Sequence, residues 1–434
     1  MRRRLLLLGA AAALAAAALT LGGALRGSSP HDDAAAAAPV PAADFTPAGS
    51  TAQTVARLQA QVRGNPTDVH ALALLGLAYE QRARETGDPT YYSKADGVLQ
   101  EALRLAPNDL LATSGLGSLA LSRHRFSEAL ALGRKALGIS PTTARSYGVV
   151  GDALVELGRY RAAFRAFDTM AALKPGLASY ARVSYGRELL GETAGAIQAM
   201  RMALDAAGAE QEPTAWTHWQ VGKLYWSVGR IGEAEHEYRA ALAVFPGYVY
   251  ALDALAQVEA ARGRLARAIA LERRAVDAIP LPQFVGTLGD LYRISGRDRL
   301  ARRQYGLIGA IERLLAANGV KTDLETALFD VDHGVRLPAA LALARRAQRE
   351  RPSIDGDDVL AWALFRNGRC TEALPYSRHA LRLGTRDALK FFHRGMIERC
   401  VGHRGEGRRW LERALALNPH FSLLWAPVAR AGLR

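Results

Sequence analysis

A chain of 434 residues with 56 basic and 42 acidic side chains, a net charge of +14 and two cysteines, Cys370 and Cys400, has too few thiols for a disulfide framework or a cysteine metal cage. Fifty of the basic residues are arginine, spread over helices and turns without forming a patch, and this reads as a solvated surface rather than a nucleic-acid partner. The first 25 residues, MRRRLLLLGAAAALAAAALTLGGAL, place three arginines before an uncharged apolar run from Leu5 to Leu25. The pattern predicts an export signal over residues 1–26. A cleaved signal uses an apolar region of about 7 to 15 residues and a bilayer span about 20, so a cleaved peptide and an anchor in the cytoplasmic membrane both fit. In either case the arginines stay inside and the rest of the chain is expected on the extracytoplasmic side. Membrane contact is expected through this segment, if it is uncleaved. Residues 27–50, rich in Ala, Pro and Ser, read as a flexible linker.

From residue 51 the pattern turns helical. Residues 51–63 read as one isolated helix closed by Pro66, and a first two-helix unit opens near Val69. There the insertion RETGDPTYY sets Gly76 and Ala95 seven residues further apart than the later units require, which predicts a longer turn. Pro107, Pro141 and Pro175 then recur at intervals of 34, as do Pro246 and Pro280. Gly117, Ala129 and Ala136 mark the second unit, and Gly151, Ala163 and Phe167 the third. The clearest copy is 214–246, TAWTHWQVGKLYWSVGRIGEAEHEYRAALAVFP. Val221, Gly222 and Tyr225 follow His218 at three, four and seven residues and share one helix face; Ala234, Tyr238 and Ala241 share a face of the next helix. Gly229 between them can take the left-handed conformation that stops a helix, and Pro246 ends the second.

This unit resembles the tetratricopeptide repeat, a hairpin of two helices with small residues at fixed positions and a closing proline. Weaker copies at 180–203, 252–280, 285–308, 324–352, 357–380 and 391–419 bring the number to ten. In the seventh, IGAIERLLAANGV predicts a lengthened second helix ending at Asn318 and Gly319; Trp425 and Val428 begin a final half unit. The resemblance implies an all-α, right-handed superhelical solenoid over residues 51–434 with a half-unit cap at each end. It also implies a protein or peptide partner held in the concave groove that the first helices line.

In the central unit the groove stripe falls on Trp216, Trp219, Lys223 and Trp226, with Tyr185 and Glu188 from the unit before and Tyr250, Asp253 and Gln257 from the unit after. Asp152, Glu156, Asp290 and Glu325 lie further out, so the groove reads as aromatic and acidic, with three tryptophans facing solvent together. Their broad faces suit a peptide or, alternatively, a glycan or small amphiphile. The Lys and Asn pair with which one branch of the family grips a terminal carboxylate is replaced here by Ala73 and Leu77.

Catalytic motifs are missing: no HExxH, no phosphate loop, no GxSxG, and a GLGSLA sequence at 115–120 that sits inside a helix without a preceding strand. His393, Cys400 and His403 read as scattered surface residues, and Asp330, Asp332 and His333 as a solvated helix end. With the units filling 69–419, the chain is read as a non-enzyme without cofactor or metal. The two cysteines fall at the start of one second helix and the end of the following first helix, where they either pair or remain separate thiols.

Overall fold

The computed structural model describes residues 50–208 and 211–434, and within them 22 α-helices and no strand. The N-terminal apolar run lies outside the described residues; among those described, no helix is long and apolar enough to cross a membrane. Helix α1 (Thr51–Gly64) precedes ten hairpins: α2 (Val69–Thr86) with α3 (Thr90–Leu105), α4 (Leu110–Ser122) with α5 (Phe126–Ile139), α6 (Ala144–Glu156) with α7 (Tyr160–Leu173), α8 (Leu177–Leu189) with α9 (Thr193–Asp205), and α10 (Gln211–Ser227) with α11 (Ile231–Val244). The second five are α12 (Val249–Ala261) with α13 (Leu265–Ala278), α14 (Pro282–Ile294) with α15 (Asp298–Ala317), α16 (Asp323–His333) with α17 (Leu337–Glu350), α18 (Ile354–Arg366) with α19 (Cys370–Ala380), and α20 (Ala388–Cys400) with α21 (Arg404–Leu417). Helix α22 (Trp425–Ala431) packs on the last of them. The chain is an all-α repeat solenoid.

Several hairpins close where a small residue of the first helix meets a large one of the second. A Cβ on Gly151 would stand 2.3 Å from the ring of Phe167, on Gly222 2.3 Å from Tyr238, and on Gly289 2.2 Å from Tyr305. On the second helices Ala129, Ala163, Ala234 and Ala268 are fully buried. A larger side chain at any of these places would overpack the hairpin at a cost of about 1 to 3 kcal/mol. The insertion RETGDPTYY does not make a longer turn: Arg84, Glu85 and Thr86 extend α2, Tyr91 and Tyr92 open α3, and Gly87 at φ +66° caps α2. The lengthened helix of unit seven is present, ending at Ala317 with Gly319 at φ +79° behind it.

The solenoid closes on itself. The turn inside each of the first five hairpins docks on the turn that follows a hairpin five places later. Gly87 packs on Ile279. His124 Nδ1 lies 2.8 Å from the carbonyl oxygen of Lys321, whose own N–H donates to Arg123 O. Tyr160 Oη accepts from the Ile354 N–H at 2.7 Å, Thr385 Oγ1 donates to Leu189 O, and Asn418 Nδ2 donates to Trp226 O at 2.9 Å. Arg351, 8% exposed, ties the two turns of the superhelix electrostatically, with Glu156 on one side and Glu325 at 2.8 Å on the other. Cys370 and Cys400 form a disulfide with a Cα separation of 5.9 Å, joining the ninth and tenth hairpins.

Candidate partner-binding surface

The inner face is built by α8, α10 and α12, and their aromatic residues meet. The Trp219 ring lies 5.0 Å from that of Tyr250, which also contacts Tyr248 at 5.5 Å and Phe284 edge-on at 5.4 Å. Lys223 Nζ sits 5.2 Å over Trp219, a cation–π contact. The expected trio of solvent-facing tryptophans does not form: Trp216 is 2% exposed and Trp219 7%, because the neighbouring first helix brings Tyr248 and Tyr250 against them. Trp226 keeps a partly open face, as do Lys223, Tyr185, Glu188, Tyr250, Asp253 and Gln257. These seven are the part of the stripe that a partner can touch.

The electrostatics also differ from the acidic groove expected from the sequence. Asp152 is bound by Arg182 at 2.7 Å, Glu156 and Glu325 by Arg351, and Asp290 by His333 at 2.8 Å and by the Tyr305 hydroxyl at 2.7 Å. These bases come from helices too distant in sequence to be paired by inspection. Burial raises the Glu188 carboxyl above its usual range, with Lys223 pulling the other way. Across the inner face Lys390, 1% exposed, holds Asp355 at 2.7 Å and Asp387 at 3.3 Å. Burial pushes the Asp355 carboxyl up, but Lys390 and Arg351 together outweigh it and leave it below the usual value. The Gln257 amide donates to Asp253 at 3.0 Å. Asp253 in turn adjoins Glu272 of α13, which is fully buried; burial raises Asp253 to about 6 and Glu272 well above the carboxylate range.

Beneath this surface lies a cavity of about 320 Å³, at the junction of the first hairpin with the fifth and sixth. Trp216, Phe245, Tyr248 and Tyr250 line it, with Arg84 and Glu212 among its polar residues. The Trp216 Nε1 and Tyr248 Oη atoms are buried without a hydrogen-bond partner. The sequence reading reached Trp216 and Tyr250 but missed Phe245, Tyr248 and Arg84; the turn Phe245-Pro246-Gly247-Tyr248 was the available signal, passed over as a helix stop. Two further expectations are corrected. His393 is fully buried, with Nδ1 2.9 Å from Asp358. Asp332 is no solvated helix end, since it accepts from the indole N–H groups of Trp362 at 2.7 Å and Trp425 at 2.9 Å. Asp330 is likewise buried, at 5% exposure. No group of three or more metal-ligating side chains occurs among the described residues.

The tetratricopeptide repeat family model matches residues 91–144 and 222–281, and the same hairpin continues on both sides of each match. Those two stretches are tetratricopeptide repeats. None of the curated proteins matches it. Among solved structures it is similar to the human IFIT1 dimer with m7Gppp-AAAA, at 15% identity over 84% of this chain and 85% of that one, with a TM-score of 0.46. It is similar to the APC/C hetero-tetramer Cut9–Hcn1 at 13% identity over 88% and 93%, with a TM-score of 0.38. A third is YrrB, a repeat protein with an unusual peptide-binding site, at 20% identity over 42% and 92%, with a TM-score of 0.29.

Proposed function

We propose that this protein is a non-catalytic scaffold that holds a protein or peptide segment against the inner face of its fourth to sixth units, outside the cytoplasm. The observation that carries the reading is the continuous, partly open surface of Tyr185, Glu188, Lys223, Trp226, Tyr250, Asp253 and Gln257 over the buried pair Trp216 and Trp219. Rigid aromatic faces beside a few charges are the composition of an interface hot spot. The Cys370–Cys400 bond supports the extracytoplasmic reading, because such bonds persist in oxidising compartments, and the arginine-flanked apolar run supports it from the sequence. A photo-crosslinker placed at Trp226 should capture a partner in the native envelope, and one placed at the exposed Arg239 should not; equal capture at both, or at neither, rejects the surface. A reporter fused after Arg434 should be active only outside the cytoplasm.

The cavity under Trp216 favours a second reading, a receptor for a small amphiphile or glycan. Its volume lies at the lower end of the range of about 300 to 1,000 Å³ typical of ligand sites. Competition by free sugars or by short-chain amphiphiles for the crosslink at Trp226 separates the two.

A further inference from the structure

The second helix of the seventh unit is the longest among the described residues and one of the least buried. Of its 20 residues, α15 buries only Ala301 and Ile308. Leu300, Leu307, Ile311 and Leu314 follow one another at seven, four and three residues and form a single stripe. Leu307 is 44% and Leu314 51% exposed; with Ile294, three of the six exposed large apolar side chains among the described residues fall between residues 294 and 314. A monomer ordinarily scatters such side chains singly.

Exposed arginines flank the stripe. Arg299, Arg302, Arg303 and Arg313 lie on α15 itself, and Arg267, Arg273 and Arg274 on α13, the preceding second helix, which shares a core cluster with α15. Arg262 and Arg264, at the head of α13, are paired with Glu235 and Glu259; the other seven guanidiniums have no ion-pair partner among the described residues. Folding thus gathers into one face a charge that the sequence distributes evenly. A helix with an apolar stripe and a basic flank is suited to lie in the plane of an anionic bilayer surface, the arginines at the phosphates and the leucines at the acyl boundary. Nucleic acid would use the arginines but has no apolar layer for the leucines, and single strands are gripped by aromatic stacking that α15 does not offer on this stripe.

We propose that the face formed by α15 and α13 docks the solenoid on an anionic phospholipid surface, with Leu307 and Leu314 entering the headgroup layer. The inference is independent of the groove reading, and either can fail alone. The test uses the full chain with its disulfide intact and a bimane dye on Leu307→Cys, read with phosphatidylglycerol-containing vesicles and with pure phosphatidylcholine vesicles. The three arginines before the N-terminal run also favour anionic lipid, so the triple variant below, which leaves them in place, isolates α15. A blue shift confined to the anionic vesicles and reversed by salt is expected. Each arginine near such a surface is worth about fivefold in binding, so Arg299→Glu with Arg302→Glu and Arg303→Glu should reduce the anionic preference by at least about 100-fold at unchanged helicity. Leu314→Ser, which keeps every charge, should weaken the shift. Equal emission on the two vesicle types, or a shift that survives the triple substitution, overturns the proposal. So does a shift that appears without vesicles as the protein is concentrated, since a second copy then covers the stripe, or RNA binding lost in the triple variant without any vesicle preference.

Discussion

Replacing Gly158 by alanine tests whether the superhelix closes on itself in solution. Gly158 turns the third hairpin at φ +68°, and a Cβ there would stand 2.3 Å from the carbonyl oxygen of Pro352 in the facing turn. Gly263 and Gly296 turn the sixth and seventh hairpins at φ +74°, with nothing within 4 Å of the added Cβ. All three substitutions carry the left-handed backbone penalty of about 1 to 2 kcal/mol. Only at Gly158 must the Pro352 backbone also retreat by about 1 Å to reach ordinary contact, and that movement pulls the Ile354 N–H from Tyr160 Oη, now at 2.7 Å. Leaving the buried Ile354 amide unsatisfied adds about 1 to 3 kcal/mol. Urea unfolding should therefore place Gly158→Ala about 2 to 5 kcal/mol below the parent and Gly263→Ala about 1 to 2 below it. Hydrogen exchange should quicken at 156–160 and 351–355 in the first variant and at neither segment in the second. Equal losses with no exchange at 351–355 would falsify the closed seam.

Trp219→Ala, which the sequence alone would class as a surface change, should lower the thermal midpoint, and Phe167→Ala, on a fully buried ring, should lose about 3 to 5 kcal/mol. Trp226→Ala should keep its midpoint and lose about thirtyfold in partner affinity by calorimetry or crosslinking yield if it is a hot spot. The raised Asp253 and Glu272 carboxyls hold protons in the folded state that the unfolded chain releases, so their contribution is complete below about pH 4 and falls as pH rises past the Asp253 value of about 6. Glu272→Gln should flatten that fall, seen as a higher urea midpoint than the parent at pH 7.5 and little difference at pH 4.5. Removing the Cys370–Cys400 bond, which closes a separation of 30 residues, should cost about 3 to 4 kcal/mol by loop entropy and loosen units nine and ten alone; two free thiols found by mass spectrometry of the native protein would show that the bond does not form.

The hairpins were legible because their signals are local. Gly222 and Tyr238 stand a fixed distance apart in every good copy, and the closing prolines keep a common interval, so one frame could be carried along the chain. The site was legible only by half. The helical offsets group the stripe on α10, but whether a residue on it faces solvent depends on what the next unit brings, and Tyr248 and Tyr250 cover Trp216 and Trp219 from outside the unit. The acids failed as a class for the same reason. Arg351 neutralises Glu156 from 195 residues away, and no helical periodicity encodes a pair that only the second turn of a superhelix brings together.

That second turn has its own numerical logic. A turn inside one hairpin facing the turn after a hairpin five places on should be five and a half repeats away, about 187 residues for a repeat of 34. The contacts that cross only one of the two irregular stretches, the connection between α9 and α10 or the extended α15, are Gly87 with Ile279 and Trp226 with Asn418, both at 192. Those that cross both stretches are separated by 194, 196 and 197 residues. Each irregularity therefore adds a few residues to the circumference, and the register of the seam depends on their total. Shortening the extension of α15 would leave every hairpin intact and shift the facing turns out of register from the second unit to the fifth, while the contact of Gly87 with Ile279, which does not cross it, should survive.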